Sequence, residues 1–425
     1  MLERQSLNTL RAAALRRISH AMPVTLIALV AMTALIAGHR VPAAEVQRIV
    51  VDLVSACAAF GVAYTLLSAS LVGRFLARPR AAPVAFPPVT LMKPLHGDEW
   101  RLVEHLASFL EQDYPGPIQY VFGVQDAEDP ALHAIAELRA RYPSADIATV
   151  VDARLYGPNR KISNLVNMLE QARHDLLCFA DSDVRVGRDY LRIVVGTLQL
   201  PGVGLVTSAY RGVSAPGFWP RASAASTNYG FFPGVVIGLA TGLARPCFGQ
   251  TIAIDRATLN RIGGLGHYVH HLAEDHAIGE AVRATGALVA IPPLLVDHAC
   301  VEASSRIYFR HESRWSRTIR AADPLGHLGA ALMHPLPFAL LALLASGGSE
   351  HAWLLAGAAL LARWMLKWRV DRVFGQPFSD WACLPLYDLM QFLIYVASFG
   401  LSDVVWRGRR FRVDPGGRLT PRLDE

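Results

Sequence analysis

Two carboxylates close a short apolar run in this chain: Leu176 to Ala180 leads directly into Asp181, Ser182 and Asp183. Ionised carboxylates are costly to bury, so a pair at the end of a strand-like run is expected to face a solvated cleft. Spaced i, i+2 where the chain turns, they can hold a hard divalent cation together with a phosphate. The plainer reading is a polar turn after a buried strand, and the surrounding chain must decide. Lys161, at the start of an amphipathic stretch, can reach a phosphate as a point charge or stand on the surface as a solvated lysine. His267, His270, His271 and His276 crowd Asp275, and His271 lies i, i+4 from it, a spacing that helical zinc sites also use. No cysteine pattern accompanies them, and loop histidines are the commoner case. Gly263-Gly264 reads as a turn, because no strand, Gly-x-Gly-x-x-Gly run and helix surround it.

The elements that must position these residues alternate. Val89 to Leu95 is a strand candidate, Asp98 to Gln112 an amphipathic helix, Gln119 to Val124 a strand and Pro130 to Arg141 a helix. Asp146 to Val151, Arg160 to Ala172 and Leu176 to Ala180 continue the rhythm. Alternation of this kind predicts an α/β domain with a mainly parallel sheet covered by helices on both faces. Ligands bind such sheets beyond the carboxyl ends of the strands, where Asp126, Asp129 and Asp181 fall.

With 425 residues, 52% of them hydrophobic, the chain has room for one large domain plus membrane spans. Only Lys93, Lys161 and Lys367 are lysines, so nearly all the positive charge behind the net +6 is arginine. Much of it flanks apolar segments, which fits an anionic lipid surface and no nucleic acid. The five cysteines are odd in number and show no C-x-x-C pair, which excludes a disulfide or zinc framework and suits a reducing compartment.

Two apolar stretches, Pro23 to Gly38 and Ile49 to Gly73, precede the alternating domain, with Arg4, Arg11, Arg16 and Arg17 before them and Arg74, Arg78 and Arg80 after. Positive charge on both flanks predicts a hairpin whose two ends are cytoplasmic. His327 to Gly347, His351 to Leu366 and Trp381 to Leu401 follow the domain, and then a basic tail, WRGRRFRV. Three full crossings would put that tail outside, against the charge rule, so one stretch is expected to be re-entrant or interfacial. Pro335, Pro337, Pro385 and Asp388 mark where a helix could break. Trp353, Trp364, Trp368 and Trp381 read as interfacial aromatics. The expected organisation is a basic segment at 1–22, membrane helices at 23–78, a cytoplasmic domain at 79–322, further membrane or re-entrant helices at 323–402, and a basic tail at 403–425.

Seven motifs in order, VTLMKPLHGDE, QDAEDPAL, NRKISNL, ADSDVRV, GQTIAI with IGGL, LAEDHAIGEAVR and HESRW, resemble those of the ceramide glucosyltransferase family. That family belongs to the inverting, metal-dependent membrane glycosyltransferases, a set that also holds cellulose and chitin synthases. RHESRWSRTIR and the WRGRRFRV tail are most similar to bacterial hopanoid-associated glycosyltransferases, which implies a bacterial inner membrane. The resemblance runs from Val89 to the C-terminus. It implies a nucleotide-diphospho-sugar transferase (GT-A-like) fold, a UDP-sugar donor, Mg²⁺ or Mn²⁺, and a lipid hydroxyl acceptor.

Carried over by residue, Asp126 and Asp129 match the first aspartate motif, near uracil and ribose. Asp181 and Asp183 match the second, with Asp181 on the donor and Asp183 on the metal. Asp275 matches the third, the catalytic base, and Arg314 with Trp315 matches the closing pair beside the diphosphate and the acceptor entrance. Relatives have Gln or Arg where this chain has His311; glutamine there is typical of processive synthases, so His311 counts against polymerisation. An aspartate at its ordinary pKa of ~3.9 is already ionised at neutral pH and needs no tuning to take a proton from a hydroxyl. A processive polysaccharide synthase is the competing enzyme reading. A non-catalytic membrane scaffold that kept the fold is expected to have lost at least one aspartate, and none is missing. Ceramide or a hopanoid polyol as acceptor, and glucose or N-acetylglucosamine as sugar, both fit the sequence.

Overall fold

The computed structural model describes residues 42–377 and 379–400, together with the backbone of 403–406, 409–413 and 419–421. The apolar stretch at 23–38, the basic segment at 1–22 and the side chains of the basic tail lie outside the described residues. The chain divides into two compact units.

The α/β unit is built from Ala77–Ala224 and Pro246–Tyr308. Its main sheet has seven strands: β1 (Val89–Pro94), β2 (Ile118–Val124), β3 (Asp146–Val151), β4 (Leu176–Phe179), β6 (Val203–Thr207), β8 (Ile252–Asp255) and β9 (Leu288–Ala290). They lie in the order β3-β2-β1-β4-β8-β6-β9. Neighbours run parallel, except that β8 is antiparallel to both β4 and β6. The sheet is mainly parallel, as expected, and is made mixed by the single reversed strand β8. IAID gives no sign of its direction, because strand direction is set by the connections and not by the residues. β1 and β4 are buried along nearly their whole length because both of their faces are covered. The helices start and stop close to the expected places: α2 at Leu102–Leu110, α3 at Ala131–Arg141 and α4 at Arg160–Leu169.

A smaller sheet has the order β5-β10-β7, from β5 (Val184–Arg185), β7 (Ala209–Ser214) and β10 (Leu295–Cys300). It picks up the chain directly after Asp183. The antiparallel register sets His298 opposite Val184, and that places an imidazole beside the second carboxylate. The described tail strands form a separate three-stranded antiparallel sheet.

The helical unit comprises α1 (Ala43–Leu76), Ala225–Arg245 and the helices after Phe309. The expected continuous domain at 79–322 thus gives up 225–245, whose run FFPGVVIGLA is as apolar as the flanking segments. Among the described residues one helix, α1 with 34 residues, is long and apolar enough to cross a membrane. Pro324–Met333 and Pro335–Ala345 pass the same test only as a pair, bent by 65°, at the proline break the sequence marks. The stretch 351–366 lies in a 25-residue helix, Glu350–Phe374, with Arg363 inside that stretch and Lys367 and Asp371 after it, all buried. Arg363 forks onto Asp388 at 2.7 and 2.6 Å, while Lys367 meets Asp371 at 2.7 Å and the Tyr229 hydroxyl at 2.8 Å.

Breaking a buried ion pair by removing one partner costs about 3–5 kcal/mol. Asp388→Leu should accordingly lower the thermal unfolding midpoint in detergent, and adding Arg363→Met should restore most of the loss. Equal midpoints for the parent and the single variant would show that the pair is not buried in the working protein.

Candidate active site

The site grows from the ends of β1, β2 and β4. Asp181 and Asp183 follow β4 and line a cavity of about 170 Å³ together with His96, Glu99, Lys161 and Asn164. The plain polar turn is thereby set aside, since these carboxylates face a walled cleft. Lys161, in the first turn of α4, is no surface lysine: its Nζ lies 2.6 Å from Asp181 Oδ1 and 3.0 Å from Glu274 Oε1. Burial works against its charge, but Asp181 and Glu274 outweigh that and hold its pKa above the usual lysine value.

Helix α4 begins there because Asn159 caps it. The fully buried amide accepts from the Ile162 N–H at 3.1 Å and donates to the His271 carbonyl and to Glu274 Oε2, both at 3.1 Å. Asp275 sits in the first turn of α9 (Glu274–Ala284). Its Oδ2 accepts from the Gly249 N–H at 2.9 Å and its Oδ1 from the His276 N–H at 2.8 Å. Gly249 is where the two halves meet: a methyl group on it would lie 2.8 Å from Lys161 Nζ, 3.4 Å from Asp181 Oδ2 and 3.6 Å from Asp275 Oδ2.

The electrostatics depart from the expectation of an untuned aspartate. Burial and the neighbouring Glu274 raise Asp275 to about 7, against the pull of Lys161 and the His276 N–H. The helix N-terminus does not offset them. On the other side of the cleft, burial alone would raise Asp183, but His298, with Nδ1 3.3 Å from Oδ2, outweighs it and holds Asp183 at about 2. Glu99 is raised to about 7 by burial and by Asp183 beside it. Lys93, buried under the Phe109 ring with Nζ 3.7 Å from its centre, is lowered to about 7 by burial in spite of these carboxylates.

The first aspartate motif divides. Asp126 is exposed, and its side chain caps the local turn by accepting from the Glu128 N–H at 3.0 Å. Asp129 is 5% exposed, and its carboxylate accepts from the N–H groups of Gly97 at 2.8 Å and Ala131 at 3.0 Å, with His96 Nδ1 at 3.2 Å. It braces the loop after β1 against the start of α3. His311, Arg314 and Trp315 lie on helix α10 (Ser305–Ala322) in the helical unit, where the His311 and Trp315 rings pack edge to face at 5.1 Å.

Among the described residues no three His, Cys, Asp or Glu side chains are grouped to hold a metal by themselves. A Mg²⁺-like ion has smaller needs, one or two carboxylates with the rest of its oxygens from phosphates and water. Asp183 Oδ1, buried and without a hydrogen-bond partner, is a free acceptor of that kind, so the residues fit. Residues that carried no assigned role from the sequence are Asn159, Gly249, Glu99, Lys93 and His298. The first four stand in the quoted motifs or beside them. His298 sits in DHAC with no neighbouring signal, and only the pairing of β10 with β5 brings it in.

Glycosyl transferase family 21 matches residues 51–419 of the sequence. The chain belongs to that family and is a glycosyltransferase. It is similar to ceramide glucosyltransferase 1 of Caenorhabditis elegans, 21% identical over 368 residues that cover 78% of this chain and 73% of the relative. The ceramide glucosyltransferase of Candida albicans is 31% identical over 122 residues, 26% of this chain and 22% of the relative. Among solved structures, a mannosyltransferase of Pyrobaculum calidifontis in complex with GDP-Man and Mn²⁺ aligns with a TM-score of 0.49 at 24% identity, over 81% of this chain and 99% of that one. Residues 1–349 of S. aureus TarS with UDP-GlcNAc align at 0.38 and 12%, over 79% and 100%.

Gly249→Ala would thrust a methyl group at the Lys161 ammonium, which two carboxylates already hold in place. The thermal unfolding midpoint should fall by several degrees, the scale of about 1–3 kcal/mol for a displaced charge-assisted hydrogen bond. An unchanged midpoint would mean that Lys161 yields freely and does not organise the cleft.

Proposed function

We propose that this enzyme moves one sugar from a UDP-sugar to a lipid hydroxyl with inversion. Asp275 is the base, Asp183 the metal ligand, and Asp181 with Lys161 the donor-side pair. The observation that carries the reading is the convergence at Gly249: a carboxylate from the second aspartate motif and one from the third lie within 3.6 Å of a single point. An acceptor hydroxyl beside Asp275 can pass its proton to Oδ2 while its oxygen attacks the anomeric carbon from the face opposite the leaving diphosphate. Mg²⁺ or Mn²⁺ at Asp183 would neutralise charge on the departing UDP. Asp126 and Asp129 shape the loops at the nucleotide end, with Asp129 acting through Gly97. His311, Arg314 and Trp315 are assigned to the diphosphate and acceptor side from the family motif. The acceptor class, ceramide or a hopanoid polyol, and the sugar, glucose or N-acetylglucosamine, follow the relatives' names and the motif resemblance.

Membrane attachment through the segments at 23–78 and 323–402 belongs to the same reading, with the α/β unit and the tail on the cytoplasmic side of a bacterial inner membrane. Helix α1 and the bent pair support it. Cysteine labelling at Ala82 and Gly417 should report the same side, and opposite sides would favour three full C-terminal crossings. Lipid mass spectrometry of cells with and without the protein identifies the product. A long polysaccharide in place of a singly glycosylated lipid would overturn the reading.

The base assignment has its own signature. Asp275→Asn should retain UDP binding while transfer falls at least ~100-fold. In the parent, kcat/KM should climb about tenfold per pH unit toward pH 7 and then level, because the raised Asp275 carboxyl must lose its proton before it can accept one. A profile flat between pH 5 and 8, or turnover by Asp275→Asn within about threefold of the parent, would remove Asp275 from that role.

A further inference from the structure

Glu274 stands next to the proposed base and is the obvious reserve for it, yet its surroundings give it a different task. The residue is 8% exposed, and each of its carboxylate oxygens has a partner. Oε1 holds Lys161 Nζ at 3.0 Å, and Oε2 accepts from Asn159 Nδ2 at 3.1 Å. Asn159 is itself fixed by capping α4, by donating to the His271 carbonyl, and through its own N–H, which donates to the Val269 carbonyl at 2.9 Å. Lys161 passes the connection on to Asp181 at 2.6 Å. One oxygen neutralises the Lys161 ammonium and the other holds a buried amide, so this carboxylate is tied to side chains of the cleft wall, whereas the Asp275 oxygens accept from the backbone N–H groups of Gly249 and His276.

We propose that Glu274 is a positioning residue, a clamp that joins the helix carrying Asp275 to the start of α4 and, through Lys161, to the donor-side carboxylate Asp181. The clamp rests on the reading of Asp275 as base. It has two consequences. The first is geometric: Asp275 keeps its place opposite the Gly249 N–H because the residue before it cannot move. The second is electrostatic: Glu274 is a fixed negative charge beside the base, and it competes with a diphosphate for the Lys161 ammonium. The charged or titratable groups that face Asp275 are Glu274 and His276 from its own helix, Lys161 from α4, Asp181 from the end of β4, and Cys247 from the segment before β8. Of these, Glu274 is the neighbouring charge that most strongly favours the protonated acid.

Two variants of the full-length protein in lipid nanodiscs test the clamp. Glu274→Gln keeps the shape and an oxygen for Asn159 but removes the charge. Calorimetry with UDP and Mn²⁺ should show affinity raised ~3- to 10-fold, the size of a relieved charge competition. With UDP-glucose and N-hexanoylsphingosine as probes, the acid limb of kcat/KM should move down by about one pH unit, the size of one nearby like charge. Asn159→Ser keeps a good helix cap but loses the amide that grips Glu274. Its unfolding midpoint should stay close to the parent's while kcat falls ~10-fold or more, the scale of a base displaced from its working position.

Where the parent does not turn over the ceramide probe, tighter UDP binding by Glu274→Gln supports the clamp, and unchanged or weaker UDP binding overturns it in every case. Where the parent does turn it over, an unmoved acid limb overturns the clamp as well, and Glu274→Gln as inert as Asp275→Asn at every pH would make Glu274 a catalytic residue and the clamp wrong. Activity retained by Asp275→Asn would instead sink the base assignment, a failure visible without either clamp variant.

Discussion

The cleft depends on one ammonium group. Lys161 carries the positive charge that lets Asp181 and Glu274 approach from separate parts of the chain, and Asp275 follows Glu274 into place. Without it, carboxylates from β4 and α9 would face each other across Gly249 in a partly dry cleft, where like charges repel strongly and desolvation is unfavourable. Gly249 completes the arrangement by having no side chain, since any methyl group there would occupy the space the ammonium needs. In the proposed reading the same lysine that holds the cleft together also meets a diphosphate, which would link donor binding to the geometry of the proposed base through one side chain.

The charge balance of the cleft indicates what it is built to receive. Five carboxylates, Asp181, Asp183, Glu99, Glu274 and Asp275, outnumber the lysine and arginine side chains around them among the described residues, which are Lys161, the buried Lys93 and Arg160 of the cavity wall, with His298 beside Asp183. Negative charge is in excess, and the protein accommodates it unevenly. Asp183, beside His298, is kept ionised, whereas Glu99 and Asp275 are pushed to about 7. A site arranged in this way favours a cation next to Asp183, where an oxygen remains unmatched. It keeps Asp275 close to the point where small changes in its surroundings decide its protonation, which suits the proposed role of taking up a proton during each turnover.

The alternation of apolar runs and amphipathic stretches made the α/β unit legible, and Asp146–Val151 falls where the sequence places it. The position of Asp181 and Asp183 at the end of β4 was legible too, whereas Asp126 and Asp129, placed in the same way after β2, cap a turn and brace a loop. The antiparallel course of β8 was hidden, as was the placing of His298, since both arise from connections far apart in sequence. The role of Lys161 was left open because one residue cannot declare its partners. Its composition context does help in retrospect: of three lysines in the chain, Lys93 and Lys367 are buried and Lys161 is largely so. A chain that covers its surface with arginine reserves lysine for places where a compact charge must fit between carboxylates.

The helical unit follows the same logic with a different outcome. Arg363, Lys367 and Asp371 recur at i, i+4 and i+8, so one face of the Glu350–Phe374 helix is charged and buried while Trp353, Leu354, Leu361 and Met365 are exposed on the rest. Hydropathy summed along the sequence sees an apolar stretch that ends at Leu366, because it averages over faces that the helix separates. Tyr229 lies in a π-helical turn, Thr227–Phe231, and such a turn leaves carbonyls outside the regular ladder. Arg363 takes the Tyr229 carbonyl at 2.8 Å, and Lys367 and Asp371 share its hydroxyl. Every charge in this group has a partner, and two cations balance two carboxylates. A closed, neutral set can remain buried among apolar helices at modest cost. In the cleft the excess of carboxylates leaves the set open, and that difference separates a group built to hold helices together from one built to bind and release a charged substrate.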